Sequence, residues 1–314
     1  MKLHKDKVIF KELIKLTADY YFIPEHQVEK DYLVSLFLSE LKKTSRDIDF
    51  VFKGGTSLSK AFQVVKRFSE DIDLTVLTKV GNVTAGQRKK VKDYIVQTSN
   101  ALEMNIINID ETRSRRDHNI YKIMYDKEFE FKNDILEYII LETIVVYKPY
   151  PTETKKINNL ITTFLNENKR IDIIKKYNLE PFEMLVQSLV RTLVDKLFAL
   201  CDYHLENKYD RYSRHLYDIH KIWTSKENIQ EEAATIIYDV IKDRQLFGDR
   251  NLSAQAGRNP NEILNEIINT ASYKKDFESV TSKLTQDNVT YYDCIKSLKE
   301  IINIKLLPDK IQQY

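Results

Sequence analysis

Two aspartates one residue apart, Asp71 and Asp73, stand in the segment Arg67-Phe68-Ser69-Glu70-Asp71-Ile72-Asp73. Ile72, Leu74 and Val76 alternate with Asp71, Asp73 and Thr75, a period of two that predicts a strand with both aspartates on one face. Neighbouring carboxylates repel unless a cation neutralises them, and all-oxygen ligands suit Mg2+ or Mn2+. Taken alone, such a pair more often marks a solvated strand face. The upstream residues shift that balance. Gly54-Gly55-Thr56-Ser57 lies between an apolar run, Ile48–Phe52, and a stretch in which Leu58, Ala61, Phe62 and Val65 keep helical spacing. Strand, glycine turn, helix and strand are expected in succession, with Thr56 or Ser57 as the helix N-cap. Amides in such a turn can face an anion, and glycine lets a phosphate approach closely. A phosphate cradle and a metal site in one unit are what phosphoryl-type transfer needs.

Other elements must hold that unit in place. Helical spacing predicts helices over Val8–Tyr21 and Val28–Leu41, with Pro24 in the turn between them. A helix over about Ala85–Met104 precedes strands at Ile106–Ile109, Ile120–Tyr125 and Ile135–Val146, which complete a mixed sheet. Lys148-Pro149-Tyr150-Pro151-Thr152 reads as a boundary. Beyond it the pattern is nearly all helical, including Glu183–Leu205 with its stripe of Leu189, Leu193, Leu197 and Leu200. The expected layout is an α/β domain over 1–150 and a helical domain over 151–314, an α+β chain with its active site in the cleft between the two.

The 314 residues allow one large or two small domains. Gly and Pro number six each, which favours helices over tight turns. The net charge of +2 gives no global field for nucleic acid, so any basic site must be local. Arg113, Arg115 and Arg116 form one such basic loop. Lys208, Arg211, Arg214 and Lys221, interleaved with Tyr209, Tyr212 and Tyr217, form another stretch suited to phosphates and bases. The only cysteines, Cys201 and Cys294, exclude a disulfide scaffold, and the histidines show no metal-ligand spacing, His215 and His220 reading as structural. No apolar run is long enough to span a membrane, and the charged N-terminus lacks a signal-peptide core, so a cytoplasmic location is expected.

Lys53-Gly54-Gly55-Thr56-Ser57-Leu58-Ser59-Lys60 followed by Arg67–Leu74 resembles the nucleotidyltransferase family of AbiEii/AbiGii toxins, within the DNA polymerase β-like superfamily. Val28-Glu29-Lys30-Asp31-Tyr32 is similar to that family's N-terminal helix, Asp195–Leu200 to its lysine motif, and Arg211–Ile219 to its Arg-His-x-Tyr-Asp motif. The similarity runs from Val28 to Trp223 and is loose around Asp243–Phe247. It implies a nucleotidyltransferase-fold mixed sheet with flanking helices, followed by an all-α C-terminal domain. It implies that Gly54, Gly55, Thr56, Ser57, Arg67, Ser69 and Lys196 bind NTP, and that Asp71, Asp73, Lys196 and Asp218 are catalytic. Mg2+ (or Mn2+) would sit on Asp71, Asp73 and a third carboxylate from a later strand. Glu142, in the apolar run Ile139–Val145, is the first choice and Glu137 the second. Lys60 could also approach the anion. Asp218 would act as a general base or orient Lys196; otherwise it is an N-cap or a partner of Arg214 or Lys221. The resemblance further implies a type IV toxin–antitoxin toxin for abortive infection and phage defence. Its partners would be NTP, a tRNA acceptor and an antitoxin encoded next door. The rivals are transfer to a small molecule or protein, and a degenerate NTP-binding module, against which the intact Asp-x-Asp argues.

Overall fold

The structure, a computed structural model, describes residues 1–69, 71–77, 83–130 and 136–314. Glu70 of the acidic segment and Ile135, expected to open a strand, lie outside the described residues. Contacts divide the chain into two units, Met1–Ala61 with Ser69–Val186, and Phe62–Phe68 with Gln187–Tyr314.

The first unit is a mixed sheet with helices, as the α+β expectation required. Its strands are β1 (Phe50–Lys53), β2 (Ile72–Val76), β3 (Asn105–Ile106), β4 (His118–Met124), β5 (Tyr138–Ile144), β6 (Thr152–Ile157) and β7 (Phe182–Gln187), in the order β3-β4-β5-β2-β1-β7-β6. β1 pairs antiparallel with β2, β2 parallel with β5, and β1 parallel with β7. One face of this sheet is core: Ile72, Leu74, Tyr121, Ile123, Ile139 and Leu141 are buried. The alternate residues of β4 and β5, including His118, Ile120, Lys122, Ile140 and Glu142, are half-buried or exposed on the opposite face. The helices are α1 (Lys7–Tyr21), α2 (Glu25–Thr44), α3 (Gly54–Lys60), α4 (Ala85–Ala101), α5 (Leu160–Glu167) and α6 (Ile171–Tyr177). Thr84 caps α4 in a reciprocal capping box with Gln87.

β6 and β7 differ from the all-helical expectation beyond residue 150, and the division falls at Val186 rather than near Pro151. Phe182–Gln187 is a short apolar run, which periodicity cannot tell from the start of a helix. Its pairing of Leu185 and Val186 with Val51 and Phe52 settles it as a strand. Helix α7 therefore begins at Leu189, after the cap Ser188, and not at Glu183.

The second unit is helical: α7 (Leu189–Leu205), α8 (Arg214–Trp223), α9 (Ile229–Gln245), α10 (Pro260–Thr270) and a last helix, Tyr291–Asn303. Of the predicted stripe, Leu193, Leu197 and Leu200 are fully buried, whereas Leu189, at the helix start, is half-buried. Ion pairs stitch this core. Arg191 binds Asp195 (3.0 Å) and Asp243 (3.2 Å), and Arg244 binds Asp202 (2.6 Å). The helices of the described residues include none long and apolar enough to cross a membrane.

Three consecutive charged residues of α2 tie distant segments to it. Glu29 accepts backbone N–H bonds from Glu128 (2.7 Å) and Phe129 (3.2 Å). Lys30 donates to Leu136 O at 2.6 Å. Asp31 accepts from Leu160 N at 2.7 Å and pairs with Lys60. Glu29 and Lys30 are fully buried, so each needs those partners. Burial raises the Glu29 carboxyl to about 7, opposed by the two amides; Glu128 raises it further and Lys7 lowers it. A folded value above the ordinary 4.5 means that folding takes up a proton. The stability Glu29 confers is full below about pH 4.5 and is lost as the pH rises through about 7. Glu29→Gln cannot ionise. The melting-temperature difference, wild type minus variant, should therefore fall between about pH 5 and pH 8; a difference that stays constant would contradict the assignment.

Candidate active site

The end of β1, the turn after it and β2 are built against one another. Lys53 lies opposite Asp73 in the antiparallel register. Gly54 then turns the chain with φ +76°, a left-handed conformation that favours glycine. A Cβ at Gly54 would lie 1.8 Å from Asp73 Oδ2, so the aspartate carboxylate occupies the place where any other residue would put its side chain. Helix α3 starts here, with Lys53 as its cap residue and no side-chain cap, rather than at Thr56 or Ser57. It ends at Lys60, short of the Val65 expected from spacing. Thr56 and Ser57 are buried. Ser57 Oγ donates to Gly54 O (2.9 Å), and Thr56 Oγ1 meets Ser69 Oγ at 2.8 Å, joining the glycine turn to the acidic segment. With the hydroxyls so engaged, the turn offers an anion mainly its backbone amides.

Glu142 is directly opposite Asp73 in the parallel β2–β5 register, so both side chains leave the same face of the sheet. The two carboxyl groups also meet. His118 Nε2 lies 2.6 Å from Glu142 Oε1. Burial alone would raise the Glu142 carboxyl, but His118 and Lys53 outweigh it and hold it below its ordinary value. Glu137 precedes β5, pairs with Lys127 at 2.9 Å and is half-exposed, away from this rung. Asp71 immediately precedes β2. Among the described residues no three His, Cys, Asp or Glu side chains are gathered into a metal cage. The pair nevertheless fits a divalent cation. Mg2+ keeps several waters and is commonly held by one or two carboxylates plus substrate phosphates, and two adjacent anions call for such a charge.

The second unit assembles a buried ion cluster. Asp218, fully buried, accepts from Arg67 Nε and Nη2, both at 2.7 Å, and lies 2.7 Å from Lys196 Nζ. Burial would raise the Asp218 carboxyl; Arg67, then Lys196, hold it well below the usual carboxylate range instead. Burial lowers Lys196 despite Asp218. An acid held so firmly ionised is a weak proton acceptor and a strong anchor, so this geometry favours orientation of Arg67 and Lys196 over general-base work. The partners differ from those expected of a surface residue: Lys221 pairs with Asp287 (2.9 Å), not with Asp218. The strand-like segment carrying Arg67 is itself held. Arg67 bridges Thr285, Gln286 N donates to Lys66 O (2.7 Å), and Lys66 N donates to Tyr217 OH (3.0 Å), which bonds Asp287 (3.0 Å).

Lys60, which could have approached a phosphate, instead pairs with Asp31 (2.5 Å) and donates to Ser35 Oγ (2.8 Å), fully buried. Much of the Lys208–Lys221 stretch is also used internally. Lys208 pairs with Glu206 (2.7 Å), Tyr212 packs tilted against Tyr203 with ring centroids 3.9 Å apart, and Tyr217 is buried. His215 and His220 are structural, buried or bonded to Ser297 Oγ (2.9 Å). Sequence reasoning missed Lys53, His118 and Asp287. Lys53 was signalled by its place beside Gly54; the other two are contributed by register and by a remote loop, which carry no local signal.

The seven-stranded mixed sheet flanked by helices, with a helical region after it, is consistent with a nucleotidyltransferase fold, and a family match makes the chain a nucleotidyltransferase, an enzyme of the EC 2.7.7 type. The model of the family "Nucleotidyl transferase AbiEii toxin, Type IV TA system" matches residues 36–300, and the chain belongs to that family. An NTP substrate and an antitoxin partner go with it. No curated protein matches the sequence.

Two substitutions probe this geometry. Gly54→Ala places a side chain in the left-handed region, at about 1–3 kcal/mol, and against Asp73. It should lower the melting temperature and displace Asp73 enough to abolish transfer; a variant with wild-type turnover would show the contact to be dispensable. Asp218→Asn leaves two buried cations facing a neutral amide, which should cost about 3–5 kcal/mol in denaturant unfolding. The folded Asp218 value lies below the ordinary 3.8, so its stabilisation is present above that pH and is lost on acidification. The variant's deficit should accordingly shrink in acid, and a deficit that grows there would count against the ion cluster.

Proposed function

We propose that the chain transfers NMP from an NTP to an RNA acceptor, tRNA by the family resemblance, as the toxin of a type IV system acting in abortive infection and phage defence in the cytoplasm. The observation that carries the reading is the Asp73–Glu142 rung beside the Gly54 turn. The acceptor hydroxyl gives up its proton to solvent as its oxygen attacks the α-phosphorus, the bond from that phosphorus to the bridging oxygen of the β-phosphate breaks, and pyrophosphate leaves with the electron pair. By the family resemblance, Asp71, Asp73 and Glu142 would hold a Mg2+ ion, which would supply charge neutralisation and activation of the attacking oxygen. The protein supplies the rest. Gly54 and Gly55 present backbone amides to the β and γ phosphates, and Thr56 and Ser57 fix the turn. Ser69 ties the turn to the acidic strand. The family resemblance gives Arg67 and Lys196, which Asp218 orients, a part in NTP binding.

Asp71→Asn or Asp73→Asn should abolish labelling of total RNA by radiolabelled NTP. Metal-free thermal stability should hold or rise, because a like-charge repulsion disappears. Expression of the wild type in a bacterial host should slow growth, and the same substitutions should relieve it. Full activity in Asp73→Asn rules the carboxylate site out; labelling of protein or small molecules with RNA unlabelled replaces the acceptor and leaves the chemistry standing.

A further inference from the structure

The turn before β4 holds three arginines, Arg113, Arg115 and Arg116, all exposed. Among the described residues no carboxylate pairs with any of them. Arg113 and Arg116 are steered by backbone carbonyls instead: Arg113 Nη1 donates to Asp110 O and to Thr112 O (3.3 Å), and Arg116 Nη1 to Glu111 O (3.3 Å). Lys92 reaches the same turn through Thr112 O at 3.0 Å. The acids nearby do not cancel this charge. Asp117 is taken by Arg88 (2.5 Å) and Asp93 by Lys89 (2.9 Å), which leaves Asp110 and Glu111 against the three arginines and Lys92. The turn runs straight into His118, whose ring contacts Glu142. Ile120, opposite Glu142 in the register, is exposed on the same open face. At about 3.3 Å per residue, Arg116 stands roughly 13 Å along the chain from the carboxylate rung.

We infer that this turn grips the phosphate backbone of a nucleic-acid acceptor, a few nucleotides back from the end that receives the NMP. The inference rests on the proposed transfer to RNA and adds the residues that hold the acceptor. A guanidinium fork matches a phosphate bidentately, and three forks in four residues match a repeating anion rather than one triphosphate, which the Gly54 turn already serves. The phosphate contacts would set register and orientation and carry no sequence information. A near-neutral chain needs such a local patch to bind a polyanion at all.

The test reads binding apart from chemistry. In an Asp73→Asn background, affinity for a fluorescent single-stranded RNA is measured against salt for the parent, Arg115→Ala, Arg115→Ala with Arg116→Ala, and Lys305→Ala as a remote control. Arg115→Ala should weaken binding and reduce the slope of log affinity against log salt by about 0.7, the double variant by about twice that, and Lys305→Ala by nothing. In the active enzyme the same variants should raise the KM for RNA and leave the KM for NTP. A purely structural role would shift the melting temperature without shifting the slope. Unchanged slopes in an enzyme that does label RNA overturn the grip and leave the proposed function standing. A wild type that neither binds nor labels RNA, or that labels only protein, overturns both.

Discussion

Two carboxylates side by side on neighbouring strands are an unfavourable arrangement, and much of the first unit serves to maintain it. Asp73 and Glu142 are locked opposite each other by the parallel β2–β5 register. Lys53 enters the same rung from β1, and His118 reaches Glu142 from β4. His118 and Lys53 together hold the Glu142 carboxyl below its ordinary value against the cost of burial. The tightest constraint is Gly54, whose missing side chain is the space that Asp73 fills. Two adjacent carboxyl groups of this kind fit a divalent cation.

The second unit handles charge by the opposite route. Arg67, Asp218 and Lys196 are all buried and mutually compensated, with additional pairs at Arg191 and Arg244. A buried ion pair contributes little net stability but is costly to break, so its value lies in fixing positions. The Arg67 segment illustrates this. Although it lies between α3 and β2 in the chain, its contacts are with Tyr217, Thr285 and Gln286, and the loop before the last helix determines where the guanidinium stands.

Helix α2 plays a comparable part in the first unit. Its Glu29-Lys30-Asp31 triplet carries charge that would be unaffordable in a core without partners, and each member binds a different segment. Lys60 completes that clamp, so two lysines of similar appearance in the sequence divide between scaffold, Lys60, and the ion cluster, Lys196.

Local chemistry was readable from the chain itself. The period of two at Ile72–Val76, the glycine pair after an apolar run and the stripe of Leu193, Leu197 and Leu200 depend on neighbours within a few residues; each marked a real strand or helix, although α3 begins at Gly54 itself and α7 only at Leu189. Glu142 could be singled out because a charge inside an apolar strand demands a partner. Tertiary structure decided what depends on residues far apart in sequence. It made Phe182–Gln187 a strand by pairing it with β1, placed Glu142 and not Glu137 beside Asp73, gave Asp218 to Arg67 and Lys196, and set His118 on the carboxylate pair. Periodicity records which face of an element is buried; register and long-range ion pairing are properties of two segments at once, and neither segment encodes them alone.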